Sequence, residues 1–312
     1  MSGRPRRLGL ISGSVVAAAL GVALTSGIGA AASKRPVGRI VFTASVDRKN
    51  DVYVVRADGS RRKQLTQIGT AQSPDWSPDG KSLLFTNTAD GPGGAVYRMG
   101  ANGRQTRLLF RESQAHQILQ DPVWSPDGRR IAFATVRTGT FELWTYSLSG
   151  TFRQITHEGF AVNPTWSPDG KQIAYDGIGQ SPGHATIFVA AADGTGRRDV
   201  SHAPFDDSVP VWSPTGQWIA LRSLNHDWET HEADSLVIVN PAGTVRKTLV
   251  TGGGIFPADW SPKGDAILFL WIKDPGNPTS SPRQLYTVPL TGGTPRPVPG
   301  TRGAFGSASW HR

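Results

Sequence analysis

From residue 39 to residue 312 the hydrophobic positions recur in a fixed order. A tryptophan ends a short alternation of polar and apolar residues, a turn containing proline and glycine follows, and an apolar run begins: Leu83-Leu84-Phe85, Ile131-Ala132-Phe133, Ile173-Ala174-Tyr175, Ile219-Ala220-Leu221 and Ile267-Leu268-Phe269. Runs this short, bounded by turn residues, predict buried strands. A further apolar pair then leads to a glycine-bearing turn, from Val96-Tyr97 to Gly103, Leu143-Trp144 to Gly150, Ile187-Phe188 to Gly194, Val237-Ile238 to Gly243 and Leu285-Tyr286 to Gly293. This predicts a third strand, and a short fourth strand leads into the next repeat. No stretch has the length, period and caps of a long amphipathic helix.

The element that opens each unit is Pro-x-Trp-Ser-Pro-Asp-Gly. It stands at Pro74–Gly80, Pro122–Gly128 and Pro164–Gly170, in looser form at Pro210–Gly216 and Pro257–Gly264, and is truncated at Ser307–Trp310. Its tryptophans are spaced by 48, 42, 46, 48 and 50 residues, the length of one four-stranded propeller blade. Proline presets φ at the second turn position, aspartate tolerates the third, and glycine takes a left-handed conformation at the fourth, so the first strand reverses directly into the second. The segment Arg39-Ile40-Val41-Phe42 reads as a second strand with no first strand ahead of it, and Phe305–Trp310 as a first strand with no second after it. Their pairing completes a blade. The expected fold is therefore all-β: a six-bladed β-propeller of four-stranded antiparallel blades, closed by the C-terminal strand joining the N-terminal blade and leaving no broken-ring edges.

The ends and the composition refine this picture. Arg4, Arg6 and Arg7 precede an uncharged stretch from Leu8 to Ala32 rich in Ala, Gly, Val and Leu, with Ala30-Ala31-Ala32 as a small-residue cleavage site. This predicts a signal peptide over 1–32, a linker over 33–38 and the propeller over 39–312; the alternative for the leader is an uncleaved anchor. Loss of the leader takes the formal charge from +9 to +6. The basic residues are scattered, which favours solubility, or weak attraction to anionic cell-surface polymers, over nucleic-acid binding. With no cysteine, disulfides, thiolate metal sites, a thiol nucleophile and a lipid anchor on cysteine are all excluded.

The repeated Pro-x-Trp-Ser-Pro-Asp-Gly, with its Ile-Ala-Phe-like strand and Asp-Gly turn, resembles the TolB-like propeller repeat over essentially all of residues 39–312. The resemblance implies a six-bladed ring in an exported, periplasmic setting, used as a protein-binding platform, as a scaffold joined to peptidases, or adapted as a lyase. Neither the α/β domain ahead of the ring in TolB nor the hydrolase domain of the peptidases is expected here.

In a propeller, the turns joining first to second and third to fourth strands share one face, and the other connections share the opposite face. Here the first face carries short glycine turns. The second carries the variable loops, and binding is expected there. By this strand assignment His116, His157, His184, His202, His226 and His231 fall on that face, accompanied by Asp206, Asp207, Asp227, Trp228 and Glu232. The plain alternative is that loops collect polar residues because they meet water. The cluster from His226 to Glu232 could bring two imidazoles and a carboxylate to a divalent metal, although no cofactor is expected and no residue is assigned a catalytic role. Gly179–Gly183 fits the Gly-x-Ser-x-Gly pattern but is followed by a strand rather than the helix that a nucleophile elbow requires. The expected function is thus a non-catalytic exported scaffold, secreted, wall-associated or periplasmic. It would be a monomer that binds a protein or cell-envelope polymer through its long-loop face, with no membrane span after leader cleavage. The alternatives are a metal-assisted, oligouronide-lyase-like enzyme on the same face, or an accessory propeller of a separately encoded hydrolase.

Overall fold

Each Ser-Pro-Asp-Gly tetrapeptide forms the hairpin that its residues dictate. In the first, the Gly80 N–H donates to the Ser77 carbonyl at 2.8 Å, and the Asp79 carboxylate accepts from the Ser77 hydroxyl at 2.7 Å and the Lys81 N–H at 3.1 Å. Gly80 takes φ +63°, the left-handed region that glycine enters at little cost. In the fifth copy Lys263 stands in place of the aspartate, and Asp265 supplies the acceptor to Ser261 at 2.5 Å. The turn therefore survives loss of the aspartate.

The computed structural model describes residues 36–91, 93–112, 118–179, 184–202, 206–224, 234–273 and 283–312; the leader and the Gly179–Gly183 pattern beyond its first residue lie outside the described residues. The chain begins with β1 (Arg39–Val46), β2 (Lys49–Arg56) and β3 (Lys63–Gln64). Five antiparallel sets of four follow. They are β4 (Ala71–Trp76), β5 (Ser82–Asn87), β6 (Ala95–Gly100) and β7 (Arg107–Arg111); β8 (Leu119–Trp124), β9 (Arg130–Thr135), β10 (Glu142–Ser147) and β11 (Phe152–Gln154); β12 (Ala161–Trp166), β13 (Gln172–Ile178), β14 (Ala185–Ala191) and β15 (Arg198–Asp199). The last two are β16 (Asp206–Trp212), β17 (Ile219–Leu224), β18 (Ser235–Val239) and β19 (Arg246–Thr251), then β20 (Gly254–Trp260), β21 (Ala266–Ile272), β22 (Gln284–Pro289) and β23 (Arg296–Pro297). Finally β24 (Ala304–His311) pairs antiparallel with β1, Trp310 opposite Ile40, to give the sheet order β24-β1-β2-β3. The six-bladed ring and its C-terminal closure are as the repeat predicts. Among the described residues no helix is long and apolar enough to cross a membrane.

The core is divided among the joints between blades. Six apolar clusters each contain one motif tryptophan, such as Trp124 with Leu84, Val96 and Phe133, or Trp212 with Ala174, Val189 and Leu221. All six tryptophans are buried, the most accessible only 8% exposed, and truncation of any one would cost about 3–5 kcal/mol. At the closing joint Trp310 packs with Phe42 and Val55, its indole Nε1–H donates to the Val37 carbonyl at 3.0 Å, and His311 sits beside Trp76 at 5.8 Å between ring centroids. Deleting Gly303–Arg312 removes this joint and frees an edge of β1, so the thermal midpoint should fall by about 10 °C or more. An unchanged midpoint by calorimetry would contradict closure through β24.

Candidate functional site

The innermost strands are not regular, and their irregularity shapes the ring axis. Register shifts lie between Gln72 and Asp75, Gln120 and Val123, Val162 and Thr165, Ser208 and Val211, and Pro257 and Asp259, so each strand bulges just ahead of its tryptophan. Four bulges hold a non-glycine residue in the left-handed region, Ser73 at φ +48°, Asp121 at +46°, Asn163 at +52° and Val209 at +53°. Asn, Asp and Ser adopt that conformation through local hydrogen bonds, whereas β-branched valine is strained there. The bulged residues and the prolines that follow them, with Phe256, Asp259 and β24, wall an axial cavity of about 500 Å³. Ile272 and Arg283, at the two ends of the β21–β22 connection, also line it, so the cavity reaches the face of the long connections. Its walls are mostly proline and aliphatic or aromatic carbon, the usual lining of a ligand site.

Buried carboxylates give this cavity its electrostatic character. Asp75 is pushed up to about 6 and Asp259 to about 7, both by burial, against the opposing effect of backbone N–H donors. Asp75 accepts the Trp124 N–H at 2.8 Å; Asp259 accepts from Trp260 at 2.7 Å and Trp310 at 2.6 Å. Burial also raises Asp121. Asp176, on β13, is pushed up to about 8 by burial, with the charges of Asp121 and Asp206 acting in the same direction. It accepts Asn163 Nδ2–H at 2.6 Å and the Val209 N–H at 2.9 Å, and so ties the bulges of two successive blades together.

The residues proposed from the sequence are distributed differently. His157 and His202 are exposed, and a Cβ at Gly243 would lie 2.6 Å from His202 Nε2, which places that ring against the β18–β19 turn. Asp207 is fully buried and pairs with the Arg246 guanidinium at 2.7 and 2.9 Å. Asp206 accepts the Ala185 N–H at 2.6 Å, next to half-buried His184, so these residues meet near Asp176. His116, His226, Asp227, Trp228, His231 and Glu232 lie outside the described residues. Among the described residues, no three His, Asp or Glu side chains converge as a metal site. The axial residues were not singled out from the sequence, although a signal exists. The repeat holds Pro-x-Trp-Ser-Pro nearly constant and varies the residues on either side of its first proline, from Ser73 and Asp75 to Val209 and Val211.

The residue pattern of the family described as the TolB beta propeller domain matches residues 111–312. Among solved structures, TolB from Acinetobacter baumannii superposes with a TM-score of 0.73 at 17% identity, over 88% of this chain and 66% of that one, so this chain spans just under two thirds of that TolB. An oligogalacturonate lyase in complex with manganese gives 0.59 at 15% identity, over 84% of this chain and 74% of that one. A structure of the nidogen/laminin complex gives 0.63 at 14% identity, over 88% and 98%. At these identities the likeness is one of fold. Comparison with curated protein sequences returned no match.

Two expectations follow for the axial residues. A carboxyl whose folded pKa lies above the ordinary aspartate value of 3.8 contributes stability that is fully present below that value and is lost as pH rises through the folded pKa. The thermal midpoint should therefore fall between about pH 5 and 8, and Asp176→Asn should flatten the upper part of that fall; a midpoint constant over this range would refute the burial of ionisable acids. Val209→Asn, which copies Asn163 at the equivalent bulge, should stabilise the fold by about 1 kcal/mol, measured by chemical denaturation.

Proposed function

The chain belongs to the TolB beta propeller domain family, and we propose that it is an exported, non-catalytic binding propeller that receives a segment of a partner protein at the long-loop mouth of its axial channel. The observation that carries this reading is the 500 Å³ cavity itself, which reaches the long connections and is walled by proline and apolar carbon. A cavity of that size suits an inserted loop or chain end rather than a flat protein contact. Export is supported by the cationic start and uncharged stretch of residues 4–32.

The described polar groups of the channel favour binding over turnover. Asp75 and Asp259 are occupied in holding the backbone N–H groups of neighbouring strands, and Asp176 in holding two bulges. Such groups give a site rigidity and charge while remaining committed to the fold. The same carboxylates weigh against the lyase alternative, because a uronate chain would bring like charge to a buried acidic lining.

Photocrosslinking tests this reading by position. A crosslinking amino acid at Phe305, on the cavity wall, should yield discrete adducts with cell-envelope protein, whereas one at exposed Lys171, in a short turn of the opposite face, should not. The same adducts from both positions, or none from Phe305, would remove the proposal.

A further inference from the structure

Basic residues that lie far apart along the chain are gathered by the ring onto one face. In every blade a lysine or arginine occupies the same register position of the outermost strand: Lys63, Arg107, Arg153, Arg198, Lys247 and Arg296. Followed inward across the sheet, that position is in line with the residue ahead of the motif tryptophan, as in the row Arg107, Arg98, Leu84 and Asp75. The six cations therefore stand at one height around the rim, at the start of the fourth strand and beside the short turns. All six are exposed or half-buried at the surface of their strands. Lys63, Arg198 and Lys247 reach the third-to-fourth turn of the next blade and donate to the carbonyls of Asn102, Pro241 and Thr291 at 3.1, 3.0 and 3.3 Å, so these side chains lie over the short-turn face.

Charge on an outer strand guards its unpaired edge against other chains, but carboxylates would guard it as well, and the sign here is uniform. Lys81, Arg129 and Lys171 add exposed cations from the hairpins of the same face, each two residues after a hairpin aspartate that offsets its charge. The rim cations are not offset in this way: among the described residues none lies within ion-pair distance of a carboxylate. The acids of the adjoining turns and strands, Asp58, Asp193 and Asp199, hold N–H and hydroxyl groups of their own segments. Nearer the long connections, Arg137, Arg222 and Arg246 are paired with Glu112, Asp234 and Asp207 at 2.9, 2.7 and 2.7 Å. Uncompensated positive charge is thus concentrated on the short-turn side. The chain also enters the ring there: Arg39 opens β1 opposite His311, and Lys34, Arg35 and the uncharged stretch Leu8–Ala32 precede it in sequence.

We propose that the short-turn face docks on an anionic phospholipid bilayer and holds the face of the long connections outward. Cations spread around the whole rim of a face built from short turns match a charged plane better than a single thread of polymer, and each is attracted once it comes within a Debye length of about 8 Å. The docking does not depend on what occupies the axial cavity.

The chain contains no cysteine, so single nitroxide labels test the orientation. The full chain is labelled through Gln217→Cys, in an exposed hairpin of the short-turn face, or through His157→Cys, exposed on the opposite face, and mixed with equimolar phosphatidylglycerol and phosphatidylcholine vesicles. Collisions with a water-soluble relaxation agent should fall at least about twofold at the first position and stay unchanged at the second. The protection should vanish at high salt and on vesicles of phosphatidylcholine alone. Arg107→Glu, Arg153→Glu and Arg296→Glu together, at exposed rim positions, should abolish it while leaving the thermal midpoint in place. Lys49→Glu, Lys273→Glu and Arg302→Glu together make the same change in net charge at exposed positions of the opposite face and should preserve it. The leader is common to every variant, so the comparison reads the face. The proposal is overturned if both labels or neither are protected, if protection survives high salt or the rim reversal, or if the second triple variant loses it. Protection by soluble polyphosphate but not by vesicles would assign the face to a polymer and also overturn it.

Discussion

A tryptophan stands at or next to the end of the innermost strand of each blade, and at four joints its backbone N–H donates to the residue that precedes the tryptophan of the blade before. The acceptors are Asp75 for Trp124, Thr165 for Trp212, Asp259 for Trp310 and Ser309 for Trp76, at 2.6 to 3.3 Å. At the joint between Val211 and Trp260 the indole Nε1–H takes over and donates to the Val211 carbonyl at 2.9 Å. An N–H left unpaired in this interior would cost its full desolvation, so polar pairing and apolar burial at one residue hold successive blades in register. The link between Trp76 and Ser309 joins the second blade to the C-terminal strand that closes the ring.

This constraint explains the acidity of the channel. At four of the six joints the position ahead of the tryptophan presents a short polar side chain, and aspartate at two of them brings carboxylates to the axis as a consequence of assembly. Their raised pKa values record a conflict between burial, which disfavours charge, and the N–H donors, which favour it. The left-handed bulges arise at the same place, because the strand must admit an extra residue to turn these side chains inward. Strain at Val209 and burial at Asp176 are neighbouring parts of one arrangement, joined by the hydrogen bond between them.

The two ends of the channel therefore differ in kind. Towards the long connections lies the larger cavity, lined by proline and apolar carbon. Towards the short turns it narrows among tryptophans that the ring needs for cohesion.

Blade number, strand order, hairpin chemistry and ring closure were all legible in the sequence, because each rests on local rules repeated many times: a φ preference at glycine, a preset proline, a buried aromatic at fixed spacing. The candidate site was legible only in outline. His157 and Asp207 both read as loop residues of a composition that suits binding, yet the first lies exposed at the surface and the second belongs to β16 and is paired with Arg246 inside a blade, since spacing along the chain does not say where a strand begins or which way a side chain turns. The axial carboxylates show in the sequence only as variable positions of the repeat, and their convergence needs three dimensions. Asp75, Asp121 and Asp259 come from three different blades, and their proximity is created by closing a circle, a long-range condition that no local pattern contains.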